Sequence, residues 1–240
     1  MSRLTCICIG LSLLAGCSSE PVTEVQERHP DGSPRKEVVW VRNRGNMIQE
    51  TFYFPDGTLQ SNRHFSNGKP DSTTTIYFPT GNRYKVTRYA EGVKHGKEQS
   101  WHENGQLASE IAFAEGVPVG AARTFSQEGA TLSEVTWVNG KREGAETHWY
   151  PDGTKKEEIS WINDNLNGVK KSWRPDGTPK EEFTYRDNIL DGPFATFHEN
   201  GRKLETGTYR EGRYHGPREQ WGSRGQLEVR VMYENGVVVD

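Results

Sequence analysis

Glycine recurs at positions 57, 81, 105, 129, 153, 177, 201 and 225, and the spacing is 24 residues every time. A strict period over most of a chain restricts the fold severely. Every unit must offer the same surfaces to its neighbours, so the domain has to be a one-dimensional array. Gly32 precedes the series by 25 residues, which gives the first unit one extra residue. Most of these glycines close a four-residue turn: FPDG (54–57), FPTG (78–81), HENG (102–105), YPDG (150–153), RPDG (174–177) and HENG (198–201). Pro and Asp at the centre suit a type I turn, and the glycine then takes the left-handed conformation cheaply. This is the three-residue hairpin connection with a bulge.

Two columns stay aromatic through eight units. The first is Tyr53, Tyr77, Trp101, Phe125, Trp149, Trp173, Phe197 and Trp221, four residues before each turn glycine. The second is Phe65, Tyr89, Phe113, Trp137, Trp161, Tyr185, Tyr209 and Tyr233, eight residues after it. Aromatic residues are only 10% of the chain, so these columns are placed rather than accidental. Between turn and second ring the residues alternate: Leu227, Val229, Val231 and Tyr233 point one way, Glu228, Arg230 and Met232 the other. Period two means strand. The fold class expected is all-β: an elongated antiparallel β-repeat array of about eight 24-residue, two-strand units over residues 31–240. A tight turn joins the strands of a unit, and a longer glycine-rich loop such as AEGVKHG (90–96) leads to the next. Both ring columns are expected in the core, Trp149 in mid-array among them.

The period also explains why YAEGVKHGKEQSWHENGQL, from Tyr89, nearly recurs as YREGRYHGPREQWGSRGQL from Tyr209, five units on. The aromatic-x-x-Gly-x-x-x-Gly run in these stretches (Tyr89, Gly92, Gly96; Tyr209, Gly212, Gly216), with the turn that follows, resembles the MORN-repeat family in its bacterial variant form. The resemblance covers roughly residues 30–240 and implies a β-repeat fold. Bacterial proteins with this variant are often labelled antitoxin-like, which implies neutralisation of a toxin by direct binding. Asp164 and Asn188 replace the first loop glycine, and both tolerate the left-handed region; Ser72 replaces the second.

The N-terminus follows a different logic. Arg3 precedes a small apolar run, too short for the about 20 residues of a membrane span, and the run ends Leu14-Ala15-Gly16-Cys17. This resembles the lipobox of bacterial lipoproteins. Residues 1–16 read as the lipoprotein signal peptide, Cys17 as the lipidation site, and 17–30 as lipidated cysteine and flexible tether. Cys6 and Cys8 would leave with the signal, so no intrachain disulfide is possible. The resemblance implies multiple acylation, which makes anchoring stable. Ser18 after the cysteine suggests sorting to an outer membrane, where the host has one.

The formal net charge of −3, with acids and bases interspersed, argues against a nucleic-acid partner. No cofactor motif is found. His102 and His198 hold the same position four units apart, and His95 and His215 lie five units apart, so the seven histidines do not converge on a metal. Glu110, Glu134, Glu158 and Glu182 form a column that reads as a solvated face rather than as acid–base machinery, so no enzyme activity is expected. If both ring columns share one face, alternation points Phe52, Phe54, Ile76, Phe78, Tyr84 and Val86 to the other, mostly polar one. Such an apolar patch is either a partner-docking site or the seat of a cap formed by residues 33–41 folding back. The function expected is a membrane-anchored, exported scaffold or protein-binding module at the cell envelope, with a protein partner. The alternative is an antitoxin-like or immunity protein.

Overall fold

The computed structural model describes residues 20–41 and 46–239. Cys17 and the signal peptide expected over residues 1–16 lie outside them. Among the described residues every regular element is a β-strand, and all belong to one antiparallel sheet of 22 strands. The strands pair in chain order: β1 (Pro21–Arg28), β2 (Pro34–Val41), β3 (Asn46–Tyr53), β4 (Leu59–Ser66), β5 (Lys69–Tyr77), β6 (Arg83–Ala90), β7 (Val93–Trp101), β8 (Leu107–Ala114), and on to Val237–Val239. The sheet is open, with β1 paired only to β2 and Val237–Val239 paired only to Leu227–Glu234. The strand count exceeds two per unit partly because some strands are interrupted, as where Lys141–Arg142 gives way to Gly144–Trp149.

The turn after the first ring is the expected one. Gly57 takes φ 82° and donates to Phe54 O at 2.9 Å, while Phe54 N–H donates to Thr58 O at 2.8 Å. Asp56 Oδ1 accepts from Thr58 N at 2.9 Å and from its hydroxyl, which holds the Asp56 carboxyl below its usual range.

The second connection differs from the expected long loop. Ala90 pairs directly with Val93, and both central residues have positive φ: 50° at Glu91 and 91° at Gly92. This is a two-residue type I′ turn, whose twist matches that of the strands it joins. The glutamate concealed it, because a left-handed Glu is no turn signal. The second glycine, Gly96, then sits inside β7, where the pairing jumps from Tyr89↔Lys94 to Thr87↔Glu98. Stacking fixes these turns. Gly92 N–H donates to Pro70 O at 2.8 Å, Gly116 N–H to Lys94 O at 2.9 Å and Gly140 N–H to Pro118 O at 3.0 Å. Asp164 and Asn188 keep this bond, to Arg142 O and Leu166 O, with φ 67° and 68°. Their side chains add to it: Asp164 Oδ1 accepts from Arg142 N at 2.9 Å and Asn188 Oδ1 from Leu166 N at 2.8 Å. Ser72 also adopts φ 65°, so the bulge survives without its glycine.

Two N-terminal expectations change. Residues 21–28, assigned to the tether, form β1, with Val22 opposite Trp40 and Glu24 opposite Val38. A mostly polar segment can do this at a sheet edge because pairing needs backbone groups, and Trp40 Nε1 adds a bond to Glu24 at 3.1 Å. Residues 34–41 do not fold back as a cap. They extend the sheet as β2, and Val38 there is fully buried.

The ring columns lie on opposite faces. Directly paired residues share a face and consecutive residues do not. Ile76 pairs with Lys85, but Tyr77 pairs with Arg83, so β6 carries one extra residue. The bulge reverses the count. Tyr89 shares a face with Lys85, Thr87, Thr74 and Ile76, whereas Tyr77 shares the other with Thr75 and Val86. The same shift recurs at the start of later units, at Trp101↔Leu107, Trp149↔Lys155 and Trp221↔Leu227. We call the Tyr89 side the front and the Tyr77 side the back. With rings divided between two faces, a single layer cannot build a thick core. The buried apolar residues among those described are Val38, Ile159, Trp161 and Phe194, and Trp149 is only half-buried.

Candidate functional site

One column ties five of the units to the next at the first-turn edge, while Ser126 in the same column accepts from Glu128 N and Ala130 N within its own turn. The column occupies the position just after the first ring. His29 Nε2 lies 3.1 Å from Tyr53 O and His102 Nε2 2.9 Å from Phe125 O. Tyr150 Oη donates to Trp173 O at 3.0 Å, Arg174 Nη2 to Phe197 O at 2.7 Å, and His198 Nε2 lies 2.7 Å from Trp221 O. A carbonyl only accepts, so the histidines donate. Five side chains of three types thus clip the strand end of the following unit, each contributing about 1 kcal/mol. His102 and His198 work as clips in separate units. No group of three His, Cys, Asp or Glu side chains among the described residues is arranged to hold a metal.

Phe54 and Phe78 occupy this same column and have no donor. The Phe78 ring instead meets Tyr84 edge-on, with centroids 5.1 Å apart, and Tyr84 is 45% exposed. The structure therefore divides the six-residue patch. Phe52 and Ile76 lie in one front-face row through Ser61. Val86 lies on the back face, paired with Thr75. Phe54 and Phe78 belong to the turn edge, with Tyr84 beside Phe78. The one-face patch depended on unbroken alternation, which the bulge removes.

The glutamate column is on the back face and each member has a cation: Lys97–Glu110 at 3.1 Å, Arg123–Glu134 at 2.7 Å, Lys155–Glu158 at 2.6 Å and Lys171–Glu182 at 3.4 Å. A half-exposed, ion-paired ladder like this gives little net stability per pair, and its charges balance.

The front face holds the feature that residue counting missed. Its central row runs in unbroken register Val38, Glu50, Arg63, Thr74, Thr87, Glu98, Ile111. Further along, the same strand position carries Val135, Ile159 and Phe183. Arg63 and Thr87 interrupt an otherwise apolar column, and that interruption was the available signal. Thr74 and Thr87 are 8% and 6% exposed and floor a groove of about 350 Å³. Ile76 and Lys85 line one side of it, Pro70, Tyr89 and Lys94 the other. Glu98 takes Lys85 Nζ at 2.8 Å, Lys94 Nζ at 2.7 Å and the Thr87 hydroxyl at 2.8 Å. Burial opposes ionisation of Glu98, but the bonds from Lys85, Lys94 and Thr87 outweigh it and hold the carboxyl below its ordinary range. Arg63 lies 3.6 Å from Glu50, which Lys36 holds more closely at 2.8 Å.

Two stretches, residues 94–114 and 142–163, match the MORN repeat variant family. No curated protein matches the chain. Among solved structures it is similar to the TcdB2-TccC3-TEV crystal structure at 13% identity and a TM-score of 0.23, over 91% of this chain and 14% of that one. The Photorhabdus luminescens Tc holotoxin pore matches at 12% identity and a TM-score of 0.22, again over 91% of this chain and 14% of that one. The chain thus spans about one seventh of the chains it matches.

Proposed function

We propose that this chain is a lipid-anchored, non-catalytic binding module, held at the envelope membrane by Cys17 and presenting its repeat sheet to a partner protein. The observation that carries this reading is the pair of departures at the clip column. Five units reach their neighbour with a side-chain donor at this position, whereas Phe54 and Phe78 place a ring there, and Phe78 packs on half-exposed Tyr84. Half-buried aromatics at sites where the scaffold favours polar groups, beside an exposed tyrosine, suit a docking contact better than a structural one. The lipobox-like run ending at Cys17 supports the anchored location.

A photo-crosslinking residue placed at position 78 in living cells tests the reading, with position 174 as the control site in the same column. One dominant protein captured from 78, not from 174, and reduced by Cys17→Ala is the expected result. Phe54→Glu with Phe78→Glu abolishes binding of that protein to the otherwise folded chain. Capture of nothing from 78, or equal capture from both sites, rejects the proposal. The captured protein's identity separates a scaffold from immunity against a toxin acting in the envelope.

A further inference from the structure

The front-face groove carries a charge imbalance that its own pairs leave standing. Arg63, Lys85 and Lys94 line it against a single carboxylate, Glu98. An ammonium has three donors, and Glu98 engages one from each lysine. Arg63 keeps half its side-chain surface exposed, and its contact with Glu50 Oε2 is long at 3.6 Å, while Lys36 holds the other oxygen at 2.8 Å. The two lysines are held in place by Glu98, so they are oriented before any ligand arrives. Preorganisation of this kind favours binding because little side-chain freedom remains to be lost.

The geometry points to an acidic, extended segment of a partner protein as the occupant of this groove, with carboxylates at Arg63, Lys85 and Lys94 and alternate apolar side chains against Ile76, Pro70 and Tyr89. Three features select this class. The excess charge is positive, so the ligand group is anionic. Apolar walls flank the cations, and side chains of an extended segment alternate in the way such mixed walls require. Lys85 and Lys94 are only 32% and 35% exposed, and they lie along the sheet instead of projecting from it, as contact with a flat lipid surface would need. The row departs from the apolar pattern that Ile111, Val135, Ile159 and Phe183 set, and a broken rule of this kind is where binding sites are found.

This inference rests on the protein-binding reading above, and the two can fail separately. The probe is a labelled peptide of about ten residues alternating Glu and Val, about 33 Å when extended, beside Gln/Val and Lys/Val counterparts. Its binding to the purified full chain is followed by fluorescence anisotropy. The Glu peptide is expected to bind, to weaken as salt rises from about 50 to about 500 mM, and to lose about tenfold or more in affinity with Lys85→Glu plus Lys94→Glu. Arg63→Gln, which leaves the Glu98 pairs intact, gives a smaller loss in the same direction. Lys171→Glu on the back face has no effect. Circular dichroism melting establishes that each variant is folded. Equal binding of the Gln peptide, or binding untouched by all the groove variants, overturns the inference. So does Lys85-dependent binding of phosphatidylglycerol vesicles with no binding of the peptide. If position 78 captures a partner whose binding survives the groove variants, the docking proposal stands and this one falls. If the peptide binds through the groove while position 78 captures nothing, the reverse holds.

Discussion

The groove and the aromatic stack five units further on occupy the same positions of the same face. Thr74 opposes Thr87 in one, and Phe194 opposes Gly207 in the other. Arg63 corresponds to Phe183 and Lys94 to Tyr214, while Lys85 and Glu98 correspond to Glu205 and Arg218, so the ion pair is kept with its charges exchanged. In the distal region Phe183 stacks on Phe194 at 5.6 Å, Phe194 meets Tyr209 at 5.0 Å, and Tyr209 stacks on Tyr214 at 4.6 Å. Burial, then the Tyr214 hydrogen bond, pushes the Tyr209 phenol up. The backbone ladder is the same in both places. The lattice therefore does not dictate what fills this row. One stretch is spent on packing, and the other leaves oriented charges and a floor of hydroxyls.

Truncation should expose that difference most strongly. Phe194→Ala removes a ring that is 5% exposed and should cost about 3–5 kcal/mol in urea unfolding, whereas the equivalent Thr74→Ala should cost less than about 1 kcal/mol. Similar losses at both sites would mean that the distal stack is not a core.

Gly207→Ala comes next. A Cβ there would lie 2.6 Å from Phe194 Cε1, so the ring must shift, at a cost of about 1–3 kcal/mol. Thr87 already has a side chain at the equivalent position, and Thr87→Ala should instead mainly release its bond to Glu98, about 1 kcal/mol. A neutral Gly207→Ala would show that the distal row has slack.

Acid should act on the groove through Glu98. The Glu98 carboxyl is depressed in the folded state, so its contribution is present above its ordinary value of 4.5 and disappears as pH falls through the lower folded value. Stability measured downward from pH 5 should fall less steeply for Glu98→Gln than for the parent. Parallel curves would remove Glu98 from the acid response.

The smallest effect is a gain. Phe78→His restores a clip donor toward the Trp101 carbonyl and should stabilise by about 1 kcal/mol, while weakening any contact that uses the Phe78 ring. A destabilised variant with intact partner capture would reverse both assignments.

Much of this scaffold was legible residue by residue. Gly57, with Pro55 and Asp56 before it, announced its turn, and Leu227 to Tyr233 announced a strand. Asp164 and Asn188 were readable as left-handed substitutes, and they are. The type I′ turns at Glu91 and Glu115 were not readable, because stacking on the preceding unit holds a conformation their residue type does not favour. The docking patch was misread at Val86 for a related reason: parity counting assumes unbroken strands. The groove was hidden because Arg63, Thr87 and Glu98 belong to different strands, and only the register makes them neighbours.

The sequence by itself determined the period, the strands, the first turn of each unit and the position of every ring, because those depend on local sterics and on alternation within one strand. Tertiary structure alone decided which face each ring occupies, how successive turns lock together and which charges meet. One extra residue per strand pair, as at Arg83 to Lys85, sets all three. The physical reason is that a bulge is fixed by hydrogen bonding between strands, and a single-residue slip in that bonding carries every side chain beyond it to the opposite side of the sheet.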